Sequence, residues 1–244
     1  MRAMTFNICH GAGVDHRVDL GRTLRVIRDA RVDVAGLQEV DRHWGPRSGF
    51  VDQAGWLAHE LGMYVAFGAD IDHDPPAPGR PRRQYGNAIL SVAPILRATN
   101  TLLPRTAGHE QRGLLAVDVD LDGVHWQVCV THLQHDDPAE RLAQAHAVVA
   151  TIGTPDRPTV LLGDLNATPE TAEIRVLTDT YMDAWAVAGG PLGSTFPNPV
   201  PYRRIDYVLL TGGAHPDGAG VLRSLRARLA SDHLPVVADL TAPG

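Results

Sequence analysis

The chain contains no lysine, so all 22 of its basic residues are arginine. This absence excludes any mechanism that needs a lysine amine, such as a Schiff base, a pyridoxal anchor or a P-loop lysine. The 28 acidic residues outnumber the arginines and give the 244-residue chain a net charge of −6. Sequence-independent DNA binding needs clustered cations that neutralise several phosphates. We therefore expect no stable complex with duplex DNA.

Cysteines and long apolar runs are also scarce. The two cysteines, Cys9 and Cys129, cannot form the disulfide framework of a small secreted domain. Each lies in an apolar, strand-like run, and we interpret both as buried packing residues. No window approaches about 18 consecutive apolar residues, so no membrane span is predicted. The N-terminus lacks the hydrophobic region of a signal peptide, and we expect a soluble cytoplasmic protein.

The hydrophobic content of 44% over 244 residues is enough to bury a sizeable core. No internal repeat and no linker divides the chain. The stretch rich in proline and arginine at residues 72–83 is too short for a domain linker and is predicted to be a surface loop. We therefore expect a single domain over residues 1–244, acting as a monomer.

Predicted strands and helices alternate along the chain. Strands are predicted at residues 4–9, 32–37, 64–67, 88–92, 95–103, 114–121, 124–131, 159–163, 205–210, 222–227 and 236–240. Helices are predicted around residues 20–27, from the cap at residue 52, from residue 137 to about residue 152, and from residue 168. Asp122-Gly123 between two apolar runs is a strong hairpin signal. Hairpins mixed with helical crossovers predict mixed sheets covered by helices.

Polar residues recur at or near the ends of the predicted strands. They are Asn7, Glu39, His132, Asp164, Asn166, Asp206, Asp232 and His233. Any one of them has an ordinary explanation, as a cap, a turn residue or a hydrogen-bonded core side chain. A carboxylate or amide within an apolar strand is costly unless it is paired or bound to a metal. Because sheets present their ligand sites at strand carboxyl ends, the whole set indicates a functional site.

The segments that carry these residues are TFNI, LQEV, YGNAILS, THL, GDLNATP, RRIDYVLL and SDHLPV, spread over residues 5–237. In this order they resemble the endonuclease/exonuclease/phosphatase superfamily, which includes pancreatic-type deoxyribonuclease, abasic-site endonucleases, neutral sphingomyelinases, inositol-polyphosphate 5-phosphatases and poly(A) deadenylases. The resemblance implies a four-layer αββα sandwich, with two mixed sheets face to face and helices outside. It also implies a divalent-metal phosphohydrolase site at one edge of the sheets.

The resemblance implies a metal shell built on Glu39, whose hard oxygen donors suit Mg²⁺ or Mn²⁺. Asn7 would lie beside the metal or orient Glu39. Asp232 would join the metal shell. Whether the site holds one ion or two is left open.

The resemblance also implies catalytic roles. Asp164 would orient and deprotonate the attacking water, and Asn166 would donate to a phosphoryl oxygen. His132 matches a histidine that contacts phosphate in the deoxyribonuclease and sphingomyelinase branches, whereas abasic-site endonucleases use a tyrosine there. Asp206 would fix the imidazole tautomer of His233, with a carboxylate oxygen within about 3.2 Å of a ring nitrogen. Whether His233 acts as base, acid or charge stabiliser stays open.

Three further residues, Tyr85, Asn87 and Arg112, are candidates for substrate binding. Asn87 follows Tyr85 and Gly86 at a predicted strand start, where it would either line the floor of the site or form a turn. Arg112 would either clamp phosphate, because a guanidinium binds oxyanions bidentately, or be a solvated surface residue. Loop residues that could reach substrate are His43, Arg47, Arg82 and Arg83.

The function predicted from these residues is Mg²⁺- or Mn²⁺-dependent hydrolysis of a phosphodiester or phosphomonoester. The acidic chain favours a small molecule or a lipid headgroup as substrate; a nuclease acting on single-stranded or short nucleic acid is the alternative. A catalytically inactive binding module would predict the loss of Glu39, Asp164 or His233, and all three are present. An unrelated metal-binding regulator would need clustered histidines and cysteines, which two isolated cysteines do not supply.

Overall fold

Two six-stranded mixed sheets form the centre of the computed structural model, which describes residues 1–243. The first sheet contains β1 (Arg2–Asn7), β2 (Val34–Arg42), β3 (Tyr64–His73), β4 (Arg83–Ser91), β11 (His215–Val221) and β12 (Val236–Thr241). The second sheet contains β5 (Ile95–Leu102), β6 (Gly113–Leu121), β7 (Val124–His132), β8 (Thr159–Asp164), β9 (Met182–Asp183) and β10 (Asp206–Thr211). The helices are α1 (Leu20–Ala30), α2 (Gln53–Leu61), α3 (Pro138–Ile152), α4 (Ala172–Thr178), α5 (Ala184–Ala188) and α6 (Leu225–Ala230).

The strand order is β11-β12-β1-β2-β4-β3 in the first sheet and β5-β6-β7-β8-β10-β9 in the second. Strands β1 and β2 pair in parallel, as do β7 and β8, and the other pairs are antiparallel. One apolar cluster lies between the sheets. A second packs α1, α2 and α6 on the first sheet, and a third packs α3 and α4 on the second. The predicted four-layer αββα sandwich is confirmed.

Local signals explain several of these elements. Asp52 caps α2 by accepting from the Gly55 amide, and Asp137 caps α3 by accepting from the amides of its first turn. At the tip of the β6–β7 hairpin, Asp122 and Gly123 both have positive φ, at +52° and +79°. Two such residues form the turn that matches the twist of paired strands. Each of these predicted elements is confirmed.

Two element predictions were wrong. Residues 222–227, predicted as a strand, instead contain a short loop after the end of β11 at Val221 and the start of α6, whose cap is the Ser224 hydroxyl accepting from the Ala227 amide. The run LRARLA consists of strong helix formers, and they decide the structure after that cap. The helix predicted from residue 168 begins at Ala172, because Thr168 and Thr171 close a turn first. No helix within residues 1–243 is both long and apolar enough to cross a bilayer.

Cys9 also differs from its prediction as a buried residue of a strand. Strand β1 ends at Asn7, and Cys9 begins a single 3₁₀ turn, Cys9–Gly11, that leads away from the sheet. Its side chain is half-buried rather than part of the core. Cys129 is fully buried in β7, as predicted.

Candidate functional site

Strand register brings four of the predicted site residues to one edge of the two sheets. In the first sheet, Asn7 at the end of β1 lies beside β2. In the second sheet, Asp164 at the end of β8 is paired with His132 at the end of β7 and with Asp206 at the start of β10. Because the sheets pack face to face, the ends of their parallel pairs meet. The predicted site residues are therefore brought together at the strand ends.

A β-bulge in β2 turns the Glu39 side chain towards this edge of the sheets. Strand β2 was predicted to end here, yet it continues to Arg42, with a register shift against β4 between Leu37 and Val40. Glu39 has a φ of +57°, in the left-handed region that is rare for residues other than glycine. Bulges of this kind redirect a side chain without ending the strand. Glu39 is only half-buried in this position.

Asn7 connects the carboxylates of the two sheets. Its Nδ2 donates to Glu39 Oε1 at 3.0 Å and to Asp164 Oδ2 at 3.0 Å. Its Oδ1 accepts from the Cys9 amide at 3.0 Å. The side chain is fully buried, so these three bonds fix the relative positions of Glu39 and Asp164.

Asp206 and His233 form a buried pair. Nδ1 of His233 lies 3.0 Å from Asp206 Oδ2, within the distance predicted from the sequence. Nε2 faces Asp164 Oδ2 at 3.5 Å, and the Phe196 ring packs against the imidazole at 4.6 Å. Burial alone would lower the pKa of His233, but the charges of Asp206 and Asp164 outweigh it and raise this pKa to about 10. The imidazole is therefore cationic at neutral pH.

Asp164 is 1% exposed, and burial raises its pKa to about 7. The positive charge of His233 opposes this rise and the negative charge of Asp206 adds to it. Asn166, with a φ of +52°, follows in a tight turn, and its backbone amide donates to Asp164 Oδ1 at 3.0 Å. Asp164 is thus held by hydrogen bonds from both sides, with a proton affinity suited to exchange near neutral pH.

Arg112 sets the protonation of His132. Nη1 of Arg112 donates to His132 Nδ1 at 3.0 Å and pairs with Glu110 at 2.8 Å. Since a guanidinium can only donate, the proton of the neutral His132 ring is on Nε2, which faces Asp164 Oδ2 at 3.4 Å. Nδ2 of Asn166 also lies 3.0 Å from this nitrogen, but it is itself a donor and gives its hydrogen bond to the Leu133 carbonyl at 3.0 Å. Burial lowers the pKa of His132 well below its usual value, and the charges of Arg112 and His233 add to this.

The buried position of Arg112 excludes a solvated surface role, since its exposure is 4%.

Asn87 is fully buried between the sheets, where its Nδ2 donates to Asp70 Oδ2 at 2.9 Å and to the Gly113 carbonyl at 3.3 Å. Its amide nitrogen is therefore already engaged on the Asp70 side. Asp232 is half-buried and accepts from the Ser231 hydroxyl at 3.2 Å.

Tyr85 packs against Trp44 and Arg47, which line a cleft that the sequence had indicated through the loop residues Arg47 and Arg83. The Arg47 guanidinium is held by buried Asp41 at 2.7 and 2.9 Å and lies 5.5 Å from the rings of both Trp44 and Tyr85. Trp44 in turn contacts His73, with ring centroids 5.3 Å apart. The missed residues, Asp41 and Trp44, belong to the run DRHWGPR, whose mixture of aromatic and charged side chains was the available signal.

Several groups of side chains in the described residues could hold a metal ion. Asp164, Asp206 and His233 lie close enough together to form one, in the buried part of the site, but a cationic His233 has no free lone pair for an ion. A second consists of Cys9, His10 and Glu39. The sequence provided no reason to select His10. Burial and the charge of Arg47 lower its pKa.

A third group, His109 with Asp137 and Glu140, lies elsewhere. Its carboxylates are occupied by the backbone: Asp137 caps α3, and Glu140 accepts from the Thr106 amide at 2.8 Å. This cluster ties the loop before β6 to α3.

Comparison with known proteins identifies the family and the solved structures that this chain resembles. A model of the Endonuclease/Exonuclease/phosphatase family matches residues 4–233. The endonuclease/exonuclease/phosphatase from Beutenbergia cavernae DSM 12333 superposes with a TM-score of 0.85 and 30% identity, over 100% of this chain and 72% of that one. A mannosyl-6-phosphatase from Bacteroides thetaiotaomicron VPI-5482 has a TM-score of 0.78 at 17% identity, over 99% of both chains. At that identity the likeness is one of fold.

Among curated proteins, Protein cwh43 of Schizosaccharomyces pombe is 33% identical over 138 residues, which is 56% of this chain. The matched part is 13% of that protein, so the chain corresponds to a small fraction of its relative. The residues matched by the family model contain the whole site described above, from Asn7 to His233.

Proposed function

The chain belongs to the endonuclease/exonuclease/phosphatase family, and from that membership we propose that it hydrolyses a small-molecule or lipid-headgroup phosphate ester with Mg²⁺ or Mn²⁺. The observation that carries the proposal is the Asn7 amide, which holds Glu39 and Asp164 at 3.0 Å each. This amide joins the half-buried carboxylate of Glu39 to the buried carboxylate of Asp164, which lies beside the cationic His233. Metal-assisted hydrolysis uses such a combination of a metal ligand, a proton acceptor and a charge stabiliser.

The donor chemistry of the site fits a hard divalent ion. Glu39 and Asp232 are half-exposed carboxylates, and oxygen donors are what Mg²⁺ and Mn²⁺ prefer. Glu39 and Asp232 would hold the ion, and Asn7 would orient Glu39. When bound, the ion supplies a positive charge that neutralises a phosphoryl oxygen.

The residues around the ion have separate roles in the proposed reaction. Asp164 accepts a proton from the attacking water, because its raised pKa of about 7 makes the carboxylate a competent base near neutral pH. His233 stays cationic through Asp206 and stabilises the charge that develops on the phosphoryl group. His132, positioned by Arg112, and Asn166 present N–H donors to a phosphoryl oxygen.

The cleft above Tyr85 favours a small substrate. Its volume is about 470 Å³, and it is lined by Trp44, Gly45, Pro46, Arg47, Phe50, His73, Pro76 and Arg83. Clefts of 300–1,000 Å³ typically hold ligands of small-molecule size. Arg47 in this cleft is held by Asp41, which is two residues from Glu39 on β2, so the cleft adjoins the proposed metal ligands. A small ester with a ring-shaped leaving group would fit between Trp44 and the site.

A hydrolysis panel with Mg²⁺ or Mn²⁺ tests the proposal. It compares p-nitrophenyl phosphate, bis-p-nitrophenyl phosphate, sugar phosphates, nucleotides, oligonucleotides and phospholipid headgroups. The wild-type protein is compared with Glu39→Gln and with Glu60→Gln, an exposed carboxylate on α2 that serves as the matched control. Small esters should be hydrolysed by wild type and Glu60→Gln only. Faster turnover of single-stranded oligonucleotides would favour the nuclease alternative, and no metal-dependent turnover of any substrate would contradict the proposal.

A further inference from the structure

Cys9 and His10 lie against Glu39, the carboxylate proposed as the main metal ligand. One donor atom from each of these three residues, the Cys9 sulfur, a His10 ring nitrogen and a Glu39 oxygen, lies within 4.8 Å of the other two. All three residues have left-handed backbones, with φ values of +46°, +45° and +57°. Conformations this unfavourable persist only where the surrounding structure enforces them, and they concentrate at functional positions.

The surrounding structure does enforce them. The Cys9 amide donates to Asn7 Oδ1 at 3.0 Å, and the next turn is closed by the Ala12 amide donating to the Cys9 carbonyl at 2.7 Å. Gln53 Nε2 on α2 donates to the His10 carbonyl at 2.7 Å. The two side chains are therefore held beside Glu39 by the fold itself.

The donors of this cluster are only partly satisfied by the protein: Glu39 accepts from Asn7 through Oε1, whereas one ring nitrogen of His10 has no partner in the described part of the chain. Within residues 1–243, Nδ1 of His10 is shielded from solvent and has no hydrogen-bond partner, an arrangement that costs free energy. The Cys9 side chain lies in the negative field of the Asp232 and Glu39 carboxylates. The nearest guanidinium, that of Arg47, is committed to Asp41 through two hydrogen bonds. A divalent cation would satisfy both the unpaired nitrogen and the concentrated negative charge.

We propose that Cys9, His10 and Glu39, with Asp232 beside them, bind a thiophilic divalent ion of the Zn²⁺ class. Sulfur, imidazole and carboxylate donors are the ligand types that Zn²⁺ takes, whereas Mg²⁺ takes oxygen alone. A tetrahedral Zn²⁺ holds its donors about 3.5 Å apart, and the three atoms lie within 4.8 Å of one another, so they need to close by at most about 1.3 Å. Binding replaces the thiol proton, which is released to solvent as the sulfur–metal bond forms.

This ion would compete with the hard ion of the proposed function. The inference depends on the proposed function at one point only, because Glu39 and Asp232 would be ligands of both ions. Because mixed sulfur and nitrogen ligands favour Zn²⁺ over Mg²⁺ by affinity, a low concentration of Zn²⁺ should displace Mg²⁺ and inhibit Mg²⁺-dependent hydrolysis.

Spectroscopic titration of the chelator-treated full chain tests the site without using activity. Co²⁺ serves as the probe, because thiolate ligation gives it an intense near-ultraviolet charge-transfer band. Wild type should show this band with one equivalent of Co²⁺, and Zn²⁺ should abolish it. Cys9→Ser should lose the band and bind Zn²⁺ at least about tenfold more weakly, and His10→Ala should weaken Zn²⁺ binding similarly. Cys129→Ala, which removes the other thiol in the opposite sheet, should keep the band; circular dichroism checks that each variant is folded.

The inference is overturned if wild type binds Co²⁺ without a thiolate band, or if Cys9→Ser and wild type bind Zn²⁺ equally. These outcomes are distinguishable from failure of the proposed function. A thiolate band in a protein that hydrolyses nothing with Mg²⁺ would leave this site standing and remove the phosphoesterase proposal. Mg²⁺-dependent hydrolysis in a protein without the band would leave the phosphoesterase proposal standing and remove this site.

Discussion

Replacing Asp206 with alanine removes the carboxylate whose Oδ2 lies 3.0 Å from Nδ1 of His233. The two residues are 2% and 5% exposed, so bulk water does not replace the lost acceptor. In the intact pair, burial lowers the pKa of His233, and the charges of Asp206 and Asp164 outweigh it to raise the pKa to about 10. Without Asp206 we expect this pKa to fall, so that the ring loses its charge nearer neutral pH.

The stability consequence has a definite sign. Because the pKa of His233 in the folded protein lies above its ordinary value of 6.5, the stabilisation is fully present below pH 6.5 and is lost as pH rises through about 10. At 1.36 kcal/mol per pKa unit, the shift corresponds to at most about 5 kcal/mol, shared between Asp206 and Asp164. Urea unfolding of the metal-free protein between about pH 6 and pH 10 should show wild type losing stability with rising pH. Asp206→Ala should show a clearly smaller slope.

The kinetic test is a double-mutant cycle. His233→Ala and Asp206→Ala should each lower kcat by at least about 10², and the double variant should be little worse than His233→Ala alone, because the two residues act as a unit. Asp206→Asn keeps the shape and should cost less than alanine if orientation matters most. Additive losses in the double variant, or an Asp206→Ala protein whose unfolding depends on pH as wild type does, would refute the pairing as a functional unit.

Three other predictions concern the metal shell, the proposed base and the packing behind the site. Chelation should abolish turnover, and Mg²⁺ or Mn²⁺ should restore it. Glu39→Gln should lose most of this metal-dependent activity while staying folded. Full activity of the variant at ordinary Mg²⁺ would show that Glu39 is not a metal ligand. Asp164→Asn should keep substrate binding and cut the rate by roughly 10² or more, as expected for a lost general base, whereas an unchanged kcat with a raised KM would make Asp164 a binding residue. Arg141 on α3 and Glu173 on α4 form an ion pair at 8% and 5% side-chain exposure. Glu173→Gln should lower the free energy of unfolding in urea by about 3 kcal/mol, because it leaves the buried charge of Arg141 unpaired. A loss under about 1 kcal/mol would contradict that account.

The sequence was sufficient to predict the fold class and family, which are confirmed. It also placed elements that depend on adjacent residues. The cap and first-turn proline of α3 and the Asp122-Gly123 turn are local signals, because each is set by backbone groups only a few residues away. The same locality explains the error at residues 222–227, where a short apolar run is ambiguous between strand and helix until the Ser224 cap is recognised.

The polar residues at strand ends could be selected from the sequence, but their partners could not. Asn7 and Asp164 are 157 residues apart in the chain and 3.0 Å apart in the structure, and the bond depends on how two sheets pack. Nor does the sequence show that Arg112 is buried against His132. The catalytic and ligand roles of these residues stay predictions until the experiments above are made.

Cys9 and His10 show what only the tertiary structure decided. From the sequence, Cys9 was one more apolar residue of a strand, and His10 carried no prediction. Their left-handed backbones, the hydrogen bond from Gln53 and the bulge that aims Glu39 back towards them arise from contacts between β1, β2 and α2. Local sequence cannot encode such a meeting of donors, because the distances among them are set by packing between elements rather than by spacing along the chain.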